Sequence, residues 1–299
     1  MPASNLSQKF ETVRGLTMTT LFTDLNSYSE WRKGIPADKT VGFVPTMGAL
    51  HTGHVSLMRA ASAHCDVVVV SIYVNELQFN SASDFQHYPR TQNDDVDLCA
   101  AANVDVVFAP SKSDMFVEKD VRIIQPSSAA DNFEGLDRPG HFAGVVTVVD
   151  RLFSVVSPTR AYFGIKDYQQ VAVISDMSSQ LHPDIEIVIC ETEREHDGLA
   201  MSSRNKFLYE AARVRAALLP TALTSAITQW KNGATQTGVL IEAARAILTQ
   251  DPTINVQYIS IVRAGSMDPV QTVSALDVII AAVVIDGIRL IDNMSFPIA

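Results

Sequence analysis

From Thr40 to Cys190, short runs of β-branched and other apolar residues alternate with stretches in which apolar positions recur every three or four residues. Residues 41–44, 66–74, 104–109, 161–163 and 185–190 have the length and composition of strands, and the amphipathic stretches between them read as helices. The alternation predicts crossover units on a doubly wound parallel sheet, an α/β domain with helices on both faces. Ligands of such sheets sit beyond the carboxyl ends of the strands, where the strand order reverses. The residues just after each strand are therefore the first place to look for chemistry. Past Arg204 the texture changes: 208–231, with a break or kink expected at Pro220, and 237–249 read as helices, then 256–263 and 278–285 as strands. Two domains are predicted, 1–190 and a smaller α+β domain over 191–299, joined through the polar run 191–195.

Composition narrows the function classes. With 299 residues, 47% of them hydrophobic, the chain can bury a full core. A formal net charge of −10 repels phosphodiester backbones and anionic lipid heads, so neither nucleic acid nor membrane is expected as a partner. That field leaves room for a local cationic pocket that holds one nucleotide. The apolar runs fall short of the roughly 18 residues a membrane span needs. Cys65, Cys99 and Cys190 are dispersed in apolar runs and read as reduced core residues of a cytoplasmic protein. Residues 1–18 are polar and lack the apolar region of a secretory signal; they read as a frayed extension, with an organellar presequence as the alternative.

Four clusters carry candidate chemistry. Pro45-Thr46-Met47-Gly48-Ala49-Leu50-His51-Thr52-Gly53-His54 follows the first strand and enters a helix, a turn whose glycines let backbone approach a phosphate. His51 and His54, three apart, share one face of a first helical turn, as phosphate donors, as helix caps or as half of a metal site. After the next strand come Asn75 and Gln78, neutral amides suited to a hydroxy acid, and then Tyr88, Asp94 and Asp95, where the acidic pair either caps a helix or holds Mg²⁺ through water. The third cluster runs from Glu134 through Arg138 to His141, with Gly144 expected to open a helix; Arg138 orients an anion or pairs with a loop carboxylate. Gly164-Ile165-Lys166-Asp167 repeats the strand, Gly and helix-start arrangement, and a lysine at a helix N-terminus makes better electrostatic sense with an anion beside it. The fourth cluster, Met201, Ser202, Ser203 and Arg204, offers hydroxyls and a guanidinium in a segment expected to be flexible.

Together P-T-M-G-A-L-H-x-G-H, R-P-G-H-F-x-G-V-x-T-V-V, F-G-x-K-D-x-Q-Q and D-G-L-A-M-S-S-R-N, in this order, resemble the pantothenate synthetase family of the nucleotidyltransferase superfamily, with a weaker echo at Ile288-Arg289-Leu290-Ile291-Asp292-Asn293. The resemblance implies a Rossmann-like fold and a two-step reaction: pantoate is adenylated by ATP, and β-alanine then displaces AMP. By motif position it implies that His51 and His54 meet the triphosphate, with His54 as proton donor. Met47, Gly48, Ala49, Leu50, Thr52 and Gly53, then Gly164, Ile165 and Asp167, would lie along the nucleotide. Glu193 and Met201 are grouped with them, and Lys166, Ser202, Ser203 and Arg204 would close on the phosphates. Pantoate would lie against Pro45, Thr46, Asn75, Gln78 and Gln170; Tyr88, Glu134 and Arg138 match positions around the site and a dimer contact; Asp94 and Asp95 match positions linked to Mg²⁺. A homodimer is implied as well. The chain departs from the family at Glu76, where proline is usual, at Ile165, where glutamate is usual, and at Leu98, where relatives carry glutamine. Two rival readings are a nucleotidyltransferase, which needs a further basic pocket for an acceptor phosphate, and a non-catalytic nucleotide sensor, which should lack one of His54, Lys166 and Arg204.

Overall fold

A computed structural model describes residues 8–11, 18–116 and 122–298. Most of the N-terminal segment read as an extension lies outside the described residues. Within it, β1 (Gln8–Glu11) pairs antiparallel with β2 (Met18–Phe22). Five more strands complete a seven-stranded sheet: β3 (Val41–Thr46), β4 (Val67–Ile72), β5 (Val106–Phe108), β6 (Arg160–Gly164) and β7 (Glu186–Cys190). Their order is β1-β2-β5-β4-β3-β6-β7, and β2 through β7 run parallel. From β3 the chain builds outward through β4 and β5, then returns to add β6 and β7 on the other side. The order reverses at the β3/β6 boundary, the place where such sheets bind ligands.

The helices between the strands are α1 (Leu25–Lys33), α2 (Thr52–His64), α3 (Ala82–His87), α4 (Gln92–Ala101), α5 (Lys112–Met115), α6 (Glu134–Asp137), α7 (His141–Val156) and α8 (Tyr168–Leu181). Alternation along β4 sends Val68 and Val70 into one core with Met58 and Ala61 of α2 and Cys99 of α4, while Val69 is buried on the opposite face. All three cysteines are free thiols; burial pushes that of Cys99 up, which keeps it protonated and unreactive.

Pro45 accounts for where the ladder between β3 and β6 stops. Val41 exchanges bonds with Thr159 on the β6 side, and the Thr46 carbonyl accepts from Tyr73 N–H on the β4 side. Alternation then turns Pro45 toward β6, and proline has no N–H to give. The β3–β4 ladder runs through all six residues, but the β3–β6 ladder ends at Phe43↔Ala161 while both strands continue three residues further.

The chain divides into two compact units: one takes the chain up to Gly164 together with 173–190, and the other takes 165–172 and the chain from Glu191. Residues 165–172, expected in the first domain, group with the second. The second unit is α+β. Its three-stranded antiparallel sheet has the order β10-β9-β8, with β8 at Asn255–Val262, β9 at Val278–Ile285 and β10 at Ile288–Ser295. Helices α9 (Glu210–Ala216), α10 (Leu218–Lys231) and α11 (Thr237–Leu248) supply Ala212, Leu219, Leu223, Leu240 and Leu248 to a core with Ile259, Ile261, Ile279 and Val283. The helix break falls at Ala217, not at Pro220. Proline there is the third residue of α10, where an N–H would have no intrahelical acceptor, so it starts the helix without kinking it.

Candidate active site

Helix α2 starts at Thr52, which makes His51 its N-cap and places His54 in its first turn. His51 Nδ1 accepts from Gly53 N–H at 3.2 Å, and His54 Nδ1 accepts from the His51 N–H at 3.3 Å. This is a capping box built from two histidines. With both Nδ1 atoms accepting, the neutral rings carry their protons on Nε2, and the ring centroids lie 4.1 Å apart. Among the described residues no group of three or more His, Cys, Asp or Glu side chains is arranged to hold a metal.

The loop before α2 turns through Gly48 (φ 81°) and Ala49 (φ 51°). Asp95 holds it there: Oδ2 accepts from Ala49 N–H at 3.0 Å and from the Thr91 hydroxyl at 3.2 Å, and Oδ1 accepts from Leu50 N–H at 2.8 Å. A Cβ on Gly48 would stand 2.9 Å from Asp95 Oδ2, so the glycine is fixed by contact as well as by φ. Asp95 is buried, and both of its oxygens hold the loop. Asp94 is exposed in the first turn of α4, whose N-cap is Thr91. Thr46 Oγ1 donates to Ser71 O at 2.7 Å and accepts from Gly48 N–H, and the Tyr88 hydroxyl reaches Gly48 O at 3.5 Å. Met47 and Asp95 border a cleft of about 280 Å³ at the carboxyl ends of β4 and β5. At its rim Glu76, in the family's usual proline position, pairs with Lys112 at 2.6 Å; both side chains are mostly exposed, and the pair adds little stability.

After β4 the chain makes a single 3₁₀ turn over Glu76–Gln78. Asn75 is buried and saturated: its Oδ1 accepts from Leu77 N–H, and its Nδ2 donates to Gly144 O and to Gln78 Oε1, each at 3.0 Å. The last bond fixes which way the Gln78 amide faces, turning its NH₂ toward Met47 Sδ at 3.1 Å. The backbone carbonyl of Gln78 is held by His141 Nδ1 at 2.8 Å and Arg138 at 3.3 Å, and Arg138 also meets His141 Nε2 at 3.1 Å. His141, quoted in the sequence only as part of a motif, is thus the link between Arg138 and the Gln78 turn. Helix α7 begins at His141, so Gly144 lies within its first turn. A Cβ there would come 2.3 Å from Leu77 O and 2.7 Å from Gln78 N, a contact no larger residue allows without moving backbone. Glu134 is buried at the start of α6.

At the end of β6, Gly164 faces open space, with nothing within 4 Å of where a Cβ would be. In the second unit Ile165–Asp167 form a 3₁₀ turn before α8, and Lys166 Nζ lies 3.1 Å from Asp167 Oδ1. Gln170 is half-buried in the first turn of α8. The segment expected to be flexible is cross-braced: Arg194 and Ala200 form a β-bridge, Met201 N–H donates to Glu193 O at 2.9 Å, and Asn205 Nδ2 donates to Glu195 Oε1 and Ala200 O. Arg213 pairs with Glu195 at 2.8 Å and Asp197 at 2.7 Å, which accounts for much of the segment's acidity. Arg213 and the Leu199 N–H hold the Asp197 carboxyl below its usual range against the opposing effect of burial. The brace leads into Ser202, Ser203 and Arg204, where Ser202 Oγ accepts from Arg204 N–H at 3.3 Å.

Residues 20–295 match the family model described as Pantoate-beta-alanine ligase. A pantothenate synthetase from Acidothermus cellulolyticus is 45% identical over 258 residues, covering 85% of this chain and 84% of that protein. Among solved structures, the pantoate-beta-alanine (pantothenate synthetase) structure from Thermus thermophilus superposes with a TM-score of 0.89 at 38% identity, covering 94% of this chain and 100% of that one. The pantoate-beta-alanine ligase of Francisella tularensis, solved in complex with beta-gamma ATP and beta-alanine, gives 0.74 at 33% identity, over 92% and 97% of the two chains.

Proposed function

Because the chain belongs to the pantoate-beta-alanine ligase family, we propose that it condenses pantoate with β-alanine at the expense of ATP, through a pantoyl adenylate. The observation that carries this reading is the glycine turn and two-histidine capping box that lead β3 into α2 at the switch point of the sheet. In the first step a pantoate carboxylate oxygen attacks the α-phosphorus of ATP, the bond to the β-phosphate oxygen breaks, and pyrophosphate leaves. The carboxylate is ionised at neutral pH and needs no base. The demand is for charge stabilisation, which His51 and His54, Lys166, Arg204 and the hydroxyls of Ser202 and Ser203 supply as preorganised donors. The exposed carboxylate of Asp94 would help hold Mg²⁺ bound with ATP, which would offset the charge of the departing pyrophosphate.

In the second step the amine of β-alanine attacks the acyl carbon, AMP leaves with the electrons of the acyl–oxygen bond, and the new amide nitrogen loses a proton. Gln78, aimed by Asn75, and Gln170 donate to pantoate, while Met47 and Pro45 supply apolar contact for its methyl groups. The rival nucleotidyltransferase needs a basic acceptor pocket, whereas Asn75, Gln78 and Gln170 are neutral. Incubation with ATP, Mg²⁺ and pantoate alone should release pyrophosphate and leave an acyl adenylate detectable by mass spectrometry; transfer of AMP to a phosphate acceptor instead would overturn the reading. The homodimer implied by the resemblance is part of the same proposal, supported by β7 being the outermost strand among the described residues with Ile189 exposed on it, and light scattering tests it.

A further inference from the structure

The chain's last strand carries a dipeptide that the reaction above does not use. Asp292 and Asn293 sit on β10, an edge strand of the three-stranded sheet, and both are buried. The Asn293 amide donates to two successive carbonyls, Ile165 O at 2.9 Å and Lys166 O at 2.8 Å. One side chain thereby spends both of its N–H donors on fixing the backbone that carries Lys166. Asp292 meets Arg194 in a two-point pair at 2.7 and 3.0 Å. Arg194 in turn donates to Gly198 O at 3.0 Å and to the backbone carbonyl of Asn293 at 3.3 Å. Residues adjacent in sequence thus grip two segments far apart in the chain: the Lys166 turn, and the braced loop that delivers Ser202, Ser203 and Arg204.

We infer that Asn293 is a positioning residue for the adenylation step, acting through Lys166, with the Asp292–Arg194 pair setting the loop before Arg204 on the same strand. This rests on the reading that Lys166 and Arg204 act on the phosphates of ATP. The bonds make a specific demand. An ammonium on a flexible stem stabilises developing charge only if its backbone is fixed, and misplacement by about 1 Å costs up to about 10²-fold in rate. A single donor group shared between two adjacent carbonyls fixes both the position and the twist of the turn. Alanine at 293 removes both bonds and leaves the rest of β10 paired with β9 through Asn293↔Ile280 and its neighbours.

The test is a double-mutant cycle read by pyrophosphate release in the full-length enzyme with pantoate and ATP. Asn293→Ala should lower kcat by about tenfold or more, toward the 10²-fold limit, with the KM for pantoate unchanged. In a Lys166→Ala background the same substitution should change kcat less than about twofold, because the group it positions is gone. A purely structural role would give the same factor in both backgrounds and overturns the inference, as does full activity of Asn293→Ala. If the truncated protein does not fold, the isosteric Asn293→Asp, which sets an oxygen against the two carbonyls, is run through the same cycle with the same outcomes. Lys166→Ala on its own separates the inference from the reading beneath it. Near-normal release overturns both, while slow release with equal factors at Asn293 overturns the inference alone.

Discussion

At the scale of single residues, the site depends on side chains whose hydrogen bonds decide what they present. His54 is the plainest case: its Nδ1 accepts from the His51 N–H, which places the proton of the neutral ring on Nε2. His54→Ala should slow pyrophosphate release by about 10²–10³, the range for loss of one transition-state donor. Losing the cap costs only about 1 kcal/mol, so the variant should remain folded at 25 °C. Supplied with preformed pantoyl adenylate, it should make pantothenate at a near-normal rate; if only the amine step suffers, His54 does not act on the phosphates. The His-x-x-His spacing and the paired glycines around it are legible in sequence because capping and helix geometry are local. Asp95 is not. A carboxylate near a helix start looks alike whether it caps, binds a metal or holds a loop, and what decides between them is a pair of N–H groups 45 and 46 positions away.

At the scale of elements, helix α7 and the turn after β4 are locked by Gly144. Alanine is the better helix former by about 1 kcal/mol. A Cβ 2.3 Å from Leu77 O, however, forces backbone apart, and overpacking of this kind costs about 1–3 kcal/mol. Gly144→Ala should therefore lower the thermal midpoint and raise the KM for pantoate, through displacement of Gln78, while the KM for ATP stays near its original value; an unchanged pantoate KM would separate the turn from substrate binding. The starts of β3 and β4 are tied differently. Asp66 accepts from the Thr40 N–H and hydroxyl and pairs with Lys39, and these partners hold its carboxyl down at about 2. A depressed folded value stabilises above the unfolded value of about 4, and the stabilisation is lost as pH falls toward 2. Asp66→Asn should lower the urea midpoint at pH 7, with the gap from the unaltered protein narrowing between pH 4 and pH 2; a gap independent of pH would assign the effect to something other than this carboxylate. The β-branched runs made β3 to β7 legible, to within a few residues at their ends. Strand β10 escaped because Asp292 and Asn293 interrupt its apolar alternation, although Asp286-Gly287, both at positive φ between Ile285 and Ile288, is a two-residue hairpin signal.

For the whole molecule, the question is whether the two units melt together. Composition marks the boundary at 190/191, but it does not show that 165–172 side with the second unit, since that depends on Asn293, 127 and 128 positions further on. The chain passes between the units at 164/165, 172/173 and 190/191, and the second of these crossings lies inside α8. A helix whose first turn belongs to one unit and whose remainder belongs to the other transmits fraying, because each hydrogen bond lost at the start leaves the next turn unsupported. A single cooperative transition is expected, with equal calorimetric and van't Hoff enthalpies. Arg194→Ala is the sharpest probe. Burial pushes the Asp292 carboxyl up and Arg194 opposes that, so removing the guanidinium strands a carboxylate whose side chain is 0% exposed. The cost of such an uncompensated buried charge is about 3–5 kcal/mol, which for a chain of this length corresponds to a drop of about 5–8 °C. The whole calorimetric peak should move down by that amount without splitting. Two peaks, of which only one moves, would mean that the units unfold independently and that α8 does not couple them.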